Sequence, residues 1–459
     1  MTSPRNAALE YAKENQEKFL NSLKDLVRIP SVSTAPEHKA DMLIASHWLM
    51  ERLESLGFDT RLIETEGHPL VFAERTIDPA FQTVLIYGHY DVQPAEPLDL
   101  WLSPPFDPEV RDDSLFGRGA SDMKGQVIAC MSAVESILKT TGLNVNLKWL
   151  IEGEEEIGSP SLTPVLEEYK ELLESDIVLN TDSGMIARNT PTITYGLRGL
   201  AYFELRVFGP QSDLHSGIFG GVVHNPAQAL CELIAGMHDE KGRVTLPGYY
   251  DPVIPVSEKE HKQLAESPLD EDFYLKQMGV NELWGEEGYI PAERIGARPT
   301  LEINGLYSGF TGQGSKTVIP SWAMAKISMR LVPNQDPAEV QQQLVKYLQT
   351  HAPNTIRWEL TPMAGAPASL LNTSLPASEA LADALEKAWG KKTVYKREGG
   401  SIPIVYHMQT ILGSDSILSG FGLPDDSVHA PNEKLDLPTW YTGIEALIHF
   451  LFNMQDLEK

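Results

Sequence analysis

The stretch "LIYGHYDVQP", Leu85–Pro94, runs an apolar segment straight into a Gly, a His and an Asp. With Thr83 and Val84 before it, "TVLIYG" reads as a strand buried on both faces, the kind found in parallel sheets covered by helices. Ligands bind such sheets outside the carboxyl ends of the strands, where loops from several strands converge. His89 and Asp91 fall at that end. Alternate residues of an extended segment face one way, so Asp91 can reach one ring nitrogen of His89 and leave the other for a metal. Alone, a His-x-Asp pair is better explained as a loop cap, and its weight depends on what surrounds it.

Outward from this strand the pattern alternates. "KGQVIACMSAVESILKT" (124–140) has helical spacing, "VNLKWLIEG" (145–153) reads as a strand, "SLTPVLEEYKELLES" (161–175) as a helix and "DIVLNTD" (176–182) as a strand. Residues 10–27 and 38–56 are helical in period. The βαβαβ rhythm predicts an α/β fold with a mostly parallel sheet and helices on both faces. After Asp182 the rhythm changes. "TPTITYGLRGLAYFELRVFGP" (190–210) and "TVIPSWAMAKISMRLVP" (317–333) alternate as antiparallel strands do, "NPAQALCELIAGM" (225–237) is helical, and Asp336 and Pro337 open a helix over 336–352. From "SLPASEALADALEKAW" (374–389) the α/β character returns. The expected organisation is therefore a first domain made of residues 1–190 and 372–459, interrupted by an inserted α+β domain at 191–371.

The other strand ends repeat the chemistry of the first. "GRGASDMKG" (117–125) puts Asp122 among glycines at a helix entrance, where a helix N-cap is the plain alternative. "IEGEEEIGS" (151–159) ends a strand in three carboxylates, and "LNTDSG" (179–184) ends one in Asp182. Far downstream, "DDSVHAPNEK" (425–434) sets His429 in a polar loop of the returning α/β segment. Two imidazoles and several carboxylates on one rim form a mixed N/O set that suits two zinc or manganese ions. Calcium prefers oxygen alone, and structural zinc prefers thiolates.

Bulk composition narrows the partners. Acidic residues outnumber basic ones 64 to 37, a net charge of −27, which repels phosphate backbones and anionic lipid. Neither nucleic acid nor a membrane is an expected partner. No apolar run is long enough for a span, and "MTSPRNAALEYAKENQEKFL" lacks the apolar centre of a secretory signal, so the whole chain is expected to be the mature protein. The two cysteines, Cys130 and Cys231, lie in helical segments and are expected to be small buried thiols, consistent with a cytoplasmic location.

Taken in order, "GHYDVQP", "GRGASDMKG", "EGEEEIGS", "NTDSG", "LHSG" and "HAPNEK" resemble the cocatalytic di-metal peptidases, a family of aminoacylases, glutamate carboxypeptidases, desuccinylases and carnosinase-like cytosolic dipeptidases. The resemblance spans nearly the whole chain and is nearest to the carnosinase-like nonspecific dipeptidases. It implies that His89 and Asp182 hold one metal, Glu156 and His429 the other, and that Asp122 bridges them, with a cis peptide to Met123. It makes Glu155 the general base acting on a metal-bridging water and Asp91 a support for His89. Aligning Gly158-Ser159 with the family pattern selects Glu155 and Glu156 and leaves Glu154 as a neighbour. It further implies that His215, in "DLHSG", stabilises the oxyanion across a dimer interface, and that Arg330 holds the substrate carboxylate. Thr317 and the Gly400–Ser401 turn are expected substrate contacts. The implied protein is a homodimeric hydrolase that joins through its inserted lid domain, binds two divalent ions per subunit and cleaves small peptides with a free carboxylate. An N-acyl-amino-acid deacylase with the same centre is the alternative. A catalytically silent binding protein is a more distant one, because Glu155 and all five ligand positions are present.

Overall fold

Thr83–His89 is buried at every position in the computed structural model, which describes residues 3–458. Packed on both faces, it lies inside the sheet, paired in parallel with Asn146–Glu152 on one side and Ile177–Asn180 on the other. Ser416–Ser419 extends the parallel set beyond Ile177–Asn180. The flanks are antiparallel, with Leu70–Arg75 and Asp59–Ile63 on one side and Thr192–Leu197 on the other. In register, His89 lies beside Glu152 and Tyr87 beside Asn180. Three parallel strands thus end together, and their loops leave from one rim.

The helix Lys124–Leu138 packs on this sheet and is buried along nearly its whole length, not on one stripe. Its sequence explains this: Gly125, Ala129, Ser132, Ala133 and Ser136 let the helices Pro4–Glu14, Gln16–Val27 and Leu437–Gln455 approach from the other side. Two expected helices are broken. Residues 10–27 divide at Asn15, which caps the first helix and precedes the second, and 161–175 divide at Tyr169.

The chain forms two compact units. Met1–Tyr195, Leu371–Lys396 and Ile404–Lys459 make the first; Gly196–Leu370 and Arg397–Pro403 make the second. The second is built on a four-stranded antiparallel sheet in the order Thr300–Ser308, Trp322–Leu331, Gly199–Phe208, Arg357–Ala366. Ala201, Phe203, Leu205 and Val207 alternate with half-exposed residues, as do Ala323, Ala325, Ile327 and Met329. That period of two buries one face against the helices Pro226–Ala235 and Pro337–His351. Asp336 caps the latter by accepting the Ala338 and Glu339 N–H groups, and Pro337 occupies its first turn. Residues 238–299, weakly periodic in sequence, contain the short helices Glu258–Ala265, Glu271–Met278 and Pro291–Gly296.

One cysteine departs from expectation. Cys130 is buried, but Cys231 is exposed. The helix Pro226–Ala235 buries Pro226, Ala229, Leu230 and Leu233, and Cys231 falls outside that stripe. Among the described residues no helix is long and apolar enough to cross a membrane.

Candidate metal centre

Every expected metal-ligating side chain lies in the first unit. His89 ends its strand fully buried, and its Nδ1 sits 3.1 Å from the Asp91 carbonyl oxygen. With Nδ1–H donated there, Nε2 is the nitrogen that faces Asp122 Oδ1, 3.1 Å away, and Asp182 Oδ1, 4.0 Å away. His429 Nε2 lies 3.0 Å from Asp122 Oδ2 and 3.2 Å from Glu156 Oε2. Asp122 therefore offers one oxygen to each imidazole. Two groups result, His89 with Asp122 and Asp182, and Asp122 with Glu156 and His429, the ligand atoms in each lying within 4.8 Å of one another. Two ligands of a tetrahedral zinc ion, each about 2.1 Å from it, stand roughly 3.4 Å apart. The donor set and its spacing fit a divalent cation in each group.

Electrostatics point the same way. Burial, reinforced by Asp122, pushes the Asp182 carboxyl up to about 7. Burial pushes Glu155 up to about 9, with Asp182, Asp122 and Glu156 adding to the shift and His89 opposing it. Hydrogen bonding to Asp122 and Glu156 raises His429 to about 10. Burial opposes charge on His89, yet Asp122 and Asp91 hold it well above the ordinary imidazole range. Among protein groups alone, then, the acids repel one another and both imidazoles seek a proton. Cations relieve both tendencies by supplying positive charge at the carboxylates and accepting the imidazole lone pairs.

Local folding holds this rim in place. The Asp122–Met123 peptide is cis, and the helix after it is capped by Met123 without a side-chain bond, so Asp122 is no N-cap. Asp91 acts differently from the simple sequence picture. Its Oδ1 stands 3.4 Å from His89 Nδ1, while its two oxygens accept the backbone N–H groups of Glu155 and Glu156 at 3.2 and 3.1 Å. It ties the His89 strand end to the glutamate loop. Glu154 turns away from the cluster and accepts the His68 and Ser161 N–H groups.

Three supporting residues escaped the sequence reading. Gln93 donates to Glu156 Oε2 at 2.8 Å. Glu433 is buried and accepts the N–H groups of Gly119, Ser121 and Asp122 together with Arg118 Nη1 at 2.6 Å. Arg118 itself is buried. Gln93 and Glu433 both stand inside quoted motifs, so the signal was a polar residue where a loop returns to the core.

The remaining candidates lie in the second unit. His215 is exposed, and its Nδ1 accepts the Gly217 N–H at 3.0 Å, leaving Nε2 as a donor in the neutral ring. The Thr317 carbonyl accepts the Ser216 N–H. Arg330 Nη1 donates to the Ser401 hydroxyl at 2.9 Å, and the Gly400 carbonyl accepts the Arg198 N–H at 3.1 Å.

An α/β sheet with a parallel centre and two His/carboxylate groups sharing one aspartate at its carboxyl rim defines a di-metal hydrolase framework. The model of Peptidase family M20/M25/M40 matches residues 85–453, and the chain belongs to that family. It is 32% identical to the Cys-Gly metallodipeptidase DUG1 of Candida albicans over 98% of this chain and 97% of that protein. The solved M20 family metallo-carboxypeptidase Sso-CP2 from Sulfolobus solfataricus is 33% identical with a TM-score of 0.86, covering 96% of this chain and 99% of that one. Human carnosine dipeptidase 1 is 30% identical with a TM-score of 0.84, covering 99% of this chain and 100% of that one.

Proposed function

We propose that the chain is a di-metal dipeptidase that hydrolyses the amide bond of dipeptides, or very short peptides, ending in a free carboxylate. The observation that carries this is Asp122 offering one oxygen to each of two His/carboxylate groups, with Glu155 in the same loop as Glu156. The names of the relatives, dipeptidases acting on Cys-Gly, β-Ala-His or carnosine, support dipeptides over N-acyl amino acids.

His89 and Asp182 would hold one ion, Glu156 and His429 the other, and Asp122 would offer an oxygen to each. Zinc and manganese suit this N/O set. When bound, two divalent cations supply Lewis acidity that acidifies water and polarises a carbonyl oxygen. Glu155 takes a proton from the attacking water at a carboxylate oxygen and delivers it to the amine nitrogen as the C–N bond breaks. Asp91 fixes the backbone that carries Glu155 and Glu156. Arg330, with Ser401, Gly400 and Thr317, receives the substrate carboxylate, and a guanidinium fork suits that task. His215 offers Nε2–H to the developing oxyanion from the partner subunit of a homodimer joined through the second unit. Ile218, Phe219 and Val222, exposed just after His215, support burial of that surface. The composition supports a cytoplasmic location.

The test is amino-acid release by mass spectrometry from metal-stripped protein reloaded separately with Mn²⁺ and Zn²⁺. Free dipeptides are expected to be cleaved well above their N-acetylated forms. Faster cleavage of the acylated compounds would assign the chain to the deacylases. A His215→Ala protein with its metals and full turnover would remove the role given to His215.

A further inference from the structure

The second unit contains a cavity of about 410 Å³ lined by Arg198, Arg294, Arg298 and Arg330 against Glu286 and Glu302. In a chain of net charge −27 this is a local surplus of positive charge. Glu286 is already engaged, both its oxygens accepting from Arg298 at 2.7 and 2.8 Å. Arg198 and Arg330 make their bonds to neutral oxygens instead. Among the described residues neither guanidinium bonds a carboxylate, and two such groups facing one cavity form a site for an anion.

Arg198 does more there than add charge. Arg330 lies opposite Thr300 on one neighbouring strand and Leu200 on the other, so Arg330 and Thr300 leave the sheet on one face. The side chain of Arg198 crosses to that face: Nη1 is 3.5 Å from Thr300 Oγ1 and 3.4 Å from the Arg298 carbonyl. Its Nε donates to the Gly399 carbonyl at 3.2 Å, and its backbone N–H to the Gly400 carbonyl at 3.1 Å. The loop so held runs directly into Ser401, whose hydroxyl accepts from Arg330. The approach is close, since a Cβ on Gly399 would stand 3.1 Å from Arg198 Nη2 and 3.0 Å from Ile295 Cγ2.

We propose that Arg198 is a positioning residue for carboxylate recognition: it anchors the Gly399–Ser401 loop so that Arg330 and Ser401 meet one substrate carboxylate, and its charge strengthens the field there. This rests on the dipeptidase reading. A lysine at 198 keeps the charge but cannot hold Gly399 and Thr300 from one planar group.

The experiment compares wild type, Arg198→Lys and Arg198→Ala on a free dipeptide and on its C-terminal amide. Steady-state kinetics are combined with calorimetric binding of both compounds to metal-stripped protein. Arg198→Ala is expected to raise KM and weaken binding of the free dipeptide by about ten- to a hundredfold, the range of a charged hydrogen bond. Its kcat should change by less than about threefold, the amide should be unaffected, and Arg198→Lys should recover only part. If Arg198→Ala does not fold by circular dichroism, Arg198→Gln, which can still donate to one carbonyl, is put through the same comparison. Unchanged KM and binding, or equal losses for dipeptide and amide, overturn the role of Arg198. A wild type that cleaves no dipeptide yet binds the carboxylate over the amide through Arg198 overturns the dipeptidase reading and leaves the carboxylate site standing.

Discussion

Three consecutive glutamates at 154–156 have three different surroundings. Glu154 is consumed by the backbone N–H groups of His68 and Ser161, Glu156 faces His429 and Gln93, and the Glu155 carboxyl lies where burial and the charges of His89, Asp182 and Asp122 act on it. Replacing Glu155 by Gln keeps shape and size and removes the group proposed to carry the proton. We expect kcat to fall by about 10²- to 10⁴-fold, the usual weight of general acid–base catalysis, with both metals retained. Steady-state kinetics and elemental analysis on one preparation check this, and full activity would dismiss the role. In sequence the three are indistinguishable by chemistry, and only the family register separates them. Asp91 makes a similar point. Its proximity to His89 was legible from the period of an extended chain, whereas its bonds to the 155–156 backbone join residues 64 and 65 positions apart.

At the scale of elements, the loop that presents Asp122 is held by a residue from the other end of the chain. Glu433 accepts three backbone N–H groups of residues 119–122 and pairs with Arg118, both side chains almost fully buried. Glu433→Ala leaves Arg118 buried and unpaired, at a cost of about 3–5 kcal/mol. Metal affinity should fall about 10- to 100-fold, because the loop no longer fixes Asp122. Urea denaturation and metal titration measure the two effects, and wild-type values in both would show that the clamp is dispensable. Helix ends and exposures were less legible than the strand that ends at His89. Cys231 was expected inside, but a ten-residue helix with one buried stripe exposes whatever falls off it, and rotation about the helix axis is decided by the sheet below.

Over the whole molecule, the buried helix Lys124–Leu138 carries one acid into the interior. Glu135 accepts from Tyr11, Lys18 and Arg52, three residues of separate helices. Burial opposes its ionisation, yet Lys18 and Arg52 hold its carboxyl below the ordinary value of 4.5. A depressed folded value means the stabilisation is present above about pH 4.5 and is lost as pH falls through the folded value. Glu135→Gln should cost about 1–3 kcal/mol at pH 7 and flatten the acid limb of the stability curve, as followed by denaturant titration between pH 3 and 7. An identical acid limb in the variant would remove Glu135 from the account. Metal removal is expected to act on the same stability. Chelation should lower the thermal midpoint by several degrees and reloading should restore it, since the clustered carboxylates then repel without compensation. A midpoint indifferent to chelator would count against cations at this rim.

Local pattern determined the strands around Thr83–His89, Asn146–Glu152 and Ile177–Asn180 and the loops that hold His89, Asp122, Glu155, Glu156, Asp182 and His429, because period and strand-end position are properties of neighbouring residues, but it left unread the strands Leu70–Arg75, Thr300–Ser308, Arg357–Ala366 and Ser416–Ser419 and the helix Leu437–Gln455. Convergence of the loops after Thr83–His89, Asn146–Glu152 and Ile177–Asn180 followed from the parallel topology the pattern implied, whereas the Asp122 loop follows Ser114–Phe116, which pairs antiparallel with Lys434–Asp436 in a separate small sheet. Tertiary structure alone decided that Glu433 clamps the Asp122 loop, that Asp91 serves the glutamates as well as His89, and that Arg397–Pro403 join the second unit. It also placed Arg198 against the Gly399 loop. Each is a contact between residues tens to hundreds of positions apart, set by how whole elements pack, and no local period records it.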